Sequence, residues 1–193
     1  MAIKDSGEKR TFETGSHRDM NVGKGRMDLL PAESVIEVYG VLTETEQGCD
    51  NTSHTKYLEE SLVNIMYYFT GSNKKNHLAV AARAALIATG IFETLGSDSE
   101  ETAVKGIPGY LAYGLKQVSM HYEAGAIKYG ENNWKLGQPM SVLLDSGARH
   151  LTKAIGEIVD EPHCRAAGWN LLSAIWTEKN LPNMQNIETR KNV

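Results

Sequence analysis

The chain has 193 residues, 41% hydrophobic and 23% charged, a globular composition that supplies one well-buried core or two small ones and excludes disorder throughout. Lys and Arg number 20 against 24 Asp and Glu, a formal charge of −4, so no whole-chain basic field exists and stable nucleic-acid binding is not expected. Two cysteines, Cys49 and Cys164, lie far apart and outside any CxxC; this excludes a disulfide framework and a thiolate zinc site and fits a reducing cytoplasm.

The polar start, Met1 to Arg10, has no apolar h-region, and Leu78 to Phe92 is interrupted by Arg83, so neither a cleavable signal nor a membrane span is expected. Residues 1–31 carry glycines at 7, 15, 23 and 25 with almost no apolar periodicity, and read as an extended basic arm closed by Leu29-Leu30-Pro31. A helix is expected over Ala32 to Leu42 behind Pro31, and a polar loop over Thr43 to Thr55. Tyr57 to Phe69 and Leu78 to Leu95 have helical periodicity around the turn residues Thr70-Gly71-Ser72-Asn73, which makes a helical hairpin. Gly96 to Gly109 reads as an acidic linker. Tyr110 to Tyr129 follows as a helix stopped by Gly130, with further helices over about Val142 to Gly156 and His163 to Glu178 and a fraying polar tail. Strand alternation and hairpin dipeptides are missing, so the expected fold class is an all-α helical bundle. The chain divides into an arm (1–31), a helical segment with an inserted hairpin (32–106), a helical core carrying the chemistry (107–178) and the tail (179–193).

An offset of 86 residues lays His77 on His163 and Leu58, Ala81, Leu86 and Ala88 on Leu144, Ala167, Leu172 and Ala174. The first copy has Val63, Asn64 and Ala84 where the second has Arg149, His150 and Asn170, so any chemistry belongs to the second. On the 142–156 helix, Leu144, Ala148, Leu151 and Ile155 form the core stripe, and Arg149, His150, Lys153 and Glu157 lie opposite it. A solvated charged face accounts for that position too, with Asp145 and Arg149 as an i,i+4 pair. Beyond it, Gly156 to His163 concentrates Glu157, Asp160 and Glu161 beside an imidazole, an oxygen-rich set suited to a hard divalent cation. His163, Ala167, Asn170 and Ala174 share a narrow face of the last helix, where a mid-helix Asn points to a specific hydrogen bond. Glu123 sits on the flank of its helix, ahead of a loop in which Asn132, Asn133 and Trp134 either read a base or plug the core. In the arm, Arg18, Lys24 and Arg26 lie among glycines that suit phosphate wrapping, although no Walker A loop is present.

Phe12-Glu13-Thr14-Gly15 with Arg18-Asp19, Gly23-Lys24-Gly25-Arg26 with Asp28-Leu29-Leu30-Pro31, Tyr122-Glu123 through Trp134, Asp145 with Arg149-His150-Leu151, and Trp169-Asn170 together resemble the phage dATP/dGTP diphosphohydrolase (MazZ-like) family. The resemblance covers residues 12–31 and about 118–178, two blocks usually joined by a short helix and here separated by the extra hairpin. It implies an all-α, MazG-like pyrophosphohydrolase that converts a purine deoxynucleoside triphosphate to its monophosphate and pyrophosphate with Mg²⁺ (or Mn²⁺), in the host cytoplasm if phage-encoded. The implied partner is a small nucleotide, with homo-oligomerisation left open. MazG-like enzymes hold metal through ExxE and ExxD motifs on successive helices; this chain offers Glu157-x-x-Asp160 and no matching ExxE in the two blocks. On this reading Glu123, Glu157 and Asp160 surround the metal and Arg149 and Lys128 meet phosphates. Arg18, Lys24 and Arg26 close the site, His150 or His163 moves the proton, and Asn133, Trp134 and Asn170 contact the nucleotide. The competing classes are a non-catalytic helical nucleotide-binding or interaction module, and an HD-type phosphohydrolase, disfavoured because no His-Asp dipeptide occurs.

Overall fold

A computed structural model describes residues 9–19, 23–48, 53–71, 74–95 and 106–187. Cys49, most of the acidic linker and the ends of the arm and tail lie outside these residues. The fold is all-α: α1 (Ala32–Tyr39), α2 (Glu44–Gln47), α3 (His54–Phe69), α4 (Lys74–Leu95), α5 (Gly106–Tyr129), α6 (Met140–Ile155) and α7 (His163–Asn180). α4 and α7 are the inner helices. α4 packs on α1, α3, α5 and α7, and α7 on α1, α4, α5 and α6. Small side chains permit this: every residue from Ala81 to Ile91 is buried, and six of the α4 positions from 79 to 88 are alanines. At the α4–α5 crossing the backbones meet at Gly90 and Gly114.

The hairpin α3–α4 packs on α6–α7 through α4 against α7 and α3 against α6, the contacts between equivalent helices that a pseudo-twofold axis requires. The offset of 86 carries α3 onto α6 end for end. His77 Nδ1 donates to Asn64 Oδ1 at 2.7 Å, and the equivalent pair His163 and His150 meet through their Nδ1 atoms at 3.1 Å.

Three local expectations are corrected. The arm contains a two-stranded antiparallel ladder, β1 (Lys9–Thr11) with β2 (His17–Asp19), turned by Gly15 at φ +79°; strands of three residues are too short for sequence alternation to register. Within the predicted 43–55 loop, Thr43 starts the one-turn α2 with a reciprocal capping box: its hydroxyl accepts from Glu46 N, and Glu46 accepts from Thr43 N. The tail up to Ile187 docks rather than frays, because Gln185 donates to Tyr68 Oη at 2.7 Å and Asn186 Oδ1 accepts from Ser141 N at 3.0 Å. Asn76–Leu95 is long and apolar enough by length and composition to cross a membrane, and 72% of that window is buried inside the bundle.

Candidate active site and metal centre

The turn between α6 and α7 builds the site. Gly156 caps α6, and Glu157 follows at φ +55°, the left-handed position that glycine usually takes. Glu157 N donates to Ala154 O and Ile158 N to Lys153 O, the paired bonds of a Schellman stop. The chain then reverses over the helix ends, and Pro162 leads into α7, whose first residue is His163.

This reversal brings His150, Glu161 and His163 together. Their Nδ1, Oε1 and Nδ1 atoms form a triangle with edges of 3.1 Å between the imidazoles and 3.5 Å from Glu161 to each. Asp160 Oδ1 lies 2.5 Å from His163 Nε2, and Lys153 Nζ donates to Asp160 Oδ2 at 2.9 Å. The His163 side chain is 2% exposed and Glu161 46%, so the cluster opens to solvent on the carboxylate side. Burial holds His150 below the ordinary imidazole value; Glu161 opposes this, and His163, Arg149 and Lys153 add to it. The Lys153 ammonium and His163 hold the Asp160 carboxyl below the usual range.

A third imidazole belongs to this end of the bundle. His121 of α5 is lowered first by burial, then by repulsion from His150, against the pull of Glu161, and its ring lies 6.4 Å from that of Trp169. Arg165, which also acts on His121, is gripped by Glu93 through two bonds of 2.7 Å.

The predicted metal set, Glu123, Glu157 and Asp160, does not converge among the described residues. Glu157 is the exposed helix stop. Glu123 faces the arm, accepting from Gly23 N at 3.1 Å and Gly25 N at 3.0 Å, so the arm's amides embrace a carboxylate of the chain itself. Asp160 alone reaches the cluster, behind His163. Arg26 is committed to Asp28 and Glu131 through bonds of 2.6–2.9 Å, while Arg18 and Lys24 are exposed. Arg149 pairs with Asp145 at 3.0 Å on the exposed face of α6, and Lys128 lies over the Tyr129 ring. Asn170 donates to Ala166 O inside its own helix. Asn133 is exposed, whereas Trp134 plugs the core, edge-on to Tyr122 and Trp176 with ring centroids 5.9 and 5.0 Å away. The recess beside it has about 30 Å³ of free volume, room for a water or two.

Sequence reasoning placed Glu161 in the oxygen-rich group and Lys153 on the charged helix face without assigning either to the site, and it missed His121. The internal similarity carries a signal for the first: the offset places Lys74 and Lys75 opposite Asp160 and Glu161, a charge reversal confined to the copy that also has Asn64 in place of His150.

The arm's attachment gives a direct expectation. Glu123→Ala removes the acceptor of two charge-assisted bonds, each worth roughly 1.5–3 kcal/mol, and hydrogen exchange at Gly23 and Gly25 should accelerate by at least ~10-fold. Exchange in α4 and α7 should stay as it is; accelerated exchange across the whole bundle would contradict a local clasp.

The second hairpin of this all-α bundle thus gathers two imidazoles, two carboxylates and a lysine, a group of side chains that could hold a metal ion. Residues 95–187, a little under half of the chain, match the family model described as dATP/dGTP diphosphohydrolase, N-terminal. The match contains α5 to α7 and the whole cluster; the arm and the first hairpin lie outside it. No curated protein and no solved structure matches the chain.

Proposed function

We propose that the protein is a MazG-like pyrophosphohydrolase of phage nucleotide metabolism that cleaves dATP or dGTP to the monophosphate and pyrophosphate at the α6–α7 end of the bundle. The observation that carries this reading is the convergence of His150, Asp160, Glu161 and His163, with Lys153 beside them, inside the segment that matches the diphosphohydrolase family.

Water attack on the α-phosphorus breaks the bond to the bridging oxygen, releases pyrophosphate and leaves one proton to be taken up. Arg149 and Lys153 on the α6 face supply positive charge for the triphosphate, the term on which phosphoryl transfer chiefly depends. His121, which burial keeps neutral at neutral pH, is the proton acceptor in this reading. Mg²⁺ demands near-octahedral oxygen ligation and keeps several waters, so two imidazole nitrogens do not fit it as a resident ion. Mg²⁺ or Mn²⁺ therefore enters as the counterion that the triphosphate brings in.

Incubation with each deoxynucleoside triphosphate and Mg²⁺, with pyrophosphate and orthophosphate measured separately, tests the reading. The expected result is purine monophosphate and pyrophosphate in equal amounts, with kcat lowered by ~10²–10⁴ in His121→Gln. Release of orthophosphate would overturn it, as would nucleotide binding without turnover, the behaviour of a non-catalytic helical module.

A further inference from the structure

The resident cation implied by MazG-like relatives is Mg²⁺, and the donor set argues for another class. We infer that His150 Nδ1, His163 Nδ1 and Glu161 Oε1 form a three-ligand site for an imidazole-preferring first-row cation, Zn²⁺ or its stand-in Co²⁺, with an outward coordination position left for water or substrate.

The triangle has the right size. With edges of 3.1, 3.5 and 3.5 Å, a point about 2 Å from all three atoms exists just off its plane, the distance at which zinc holds imidazole nitrogen and carboxylate oxygen. Two histidines and one glutamate are the ligands of a catalytic rather than a structural zinc site, which keeps its fourth position open. The outer partners agree with this. Asp160 accepts from His163 Nε2, so in the neutral ring the Nδ1 lone pair faces the triangle, and Lys153 fixes Asp160 in turn. A carboxylate behind a ligating imidazole is the usual arrangement for orienting the ring and raising its basicity.

The chain also contains its own control. In the first hairpin the equivalent positions hold Asn64, Lys74, Lys75 and His77, and there His77 simply donates to the Asn64 carbonyl at 2.7 Å. With an amide facing the imidazole the helix pair is closed by a hydrogen bond; with a second imidazole and two carboxylates it is a cation site. His150→Asn thus copies a residue that the first hairpin already accommodates, and Glu161→Lys copies the first hairpin's sequence.

The inference rests on the proposed function only for its choice of site, and binding tests it separately from turnover. Chelator-treated full-length protein is titrated with Co²⁺ and followed by its visible absorption, then by Zn²⁺ displacement and elemental analysis of the metal bound. One tightly held cation per chain is expected, showing the intense bands of four- or five-coordinate Co²⁺, displaced by Zn²⁺ and not by millimolar Mg²⁺. His150→Asn and Glu161→Lys should lose the bands with helix content preserved. Asp160→Asn should weaken binding by ~10–100-fold while retaining them. No Co²⁺ bands, ready displacement by Mg²⁺, or unaltered binding in both ligand variants overturns the inference. Hydrolysis with Mg²⁺ in protein free of other metal would then still leave the proposed reaction standing. Bound Co²⁺ in a protein that cleaves no nucleotide would instead remove the reaction and keep the site.

Discussion

Gly114→Ala is expected to destabilise the bundle by more than about 4 kcal/mol, enough to leave a domain of ordinary stability largely unfolded or loosely packed. A Cβ at Gly114 would stand 1.8 Å from Leu86 O, and one at Gly90 would stand 1.9 Å from Tyr110 O. Both obstacles are backbone, one helical turn apart on each helix, so no rotamer change relieves them and only separation of α4 from α5 does. Separation opens a gap along a helix that is buried from Ala81 to Ile91, and the loss of close packing there adds to the overlap. Gly125 is the counterpart, a glycine inside α5 with nothing within 4 Å of its Cβ position. Gly125→Ala should stabilise by roughly 0.5–1 kcal/mol through helix propensity and the unfolded-state entropy of glycine. Urea denaturation of the two variants should therefore move in opposite directions, and a Gly114→Ala midpoint close to wild type would refute the backbone crossing.

The second large effect lies at Arg83, the charge that interrupts the apolar run of α4. Its guanidinium grips Glu46 through Nε and Nη2, both at 2.6 Å, and donates to Val38 O at 3.3 Å; the side chains of the pair are 9% and 8% exposed. Glu46 also accepts from Thr43 N, so this pair ties the α1–α2 segment to the core helix. Arg83→Met should cost about 3–5 kcal/mol, because it leaves a carboxylate buried without its partner. Pairing it with Glu46→Gln should recover part of that, since removing both charges avoids the stranded one.

The pH dependence has a definite sign. Burial pushes Glu46 up, but the bonds from Arg83 and Thr43 outweigh it and leave the carboxyl below its ordinary value. The pair's stabilisation is thus fully present above the unfolded-state value of about 4.3 and is lost as pH falls through the lower folded-state value. In Arg83→Met the burial is opposed only by the bonds from Thr43, so the deficit against wild type should shrink below about pH 4. Denaturation curves at neutral and acid pH check this, and a gap independent of pH would mean that Glu46 is not the group left stranded.

What depends on local chemistry was legible in the order of the residues. Helix positions follow from apolar spacing: Leu144 and Leu151 are buried while the Asp145–Arg149 pair lies exposed on the opposite face, and Gly130, at φ +93°, ends α5 where its lack of a Cβ permits. The equivalence of the two hairpins was visible as an offset because the same spacing of small and large residues builds the same helix pair twice. Which charged groups meet was set instead by turns and by the packing of separate helices. Glu157 looked like a ligand by its spacing from Asp160, yet a left-handed residue was needed to stop α6, and that geometry turned Glu157 out and folded Asp160 and Glu161 back over the helix ends. Glu123 was drawn to the amides of Gly23 and Gly25, about a hundred residues away in the chain, and His121 was brought to the Trp169 ring by the packing of α5 on α7. A helix records in its sequence which face is buried, because burial acts on every turn; convergence of side chains from separate elements depends on turn dihedrals and crossing positions, which leave no period to read.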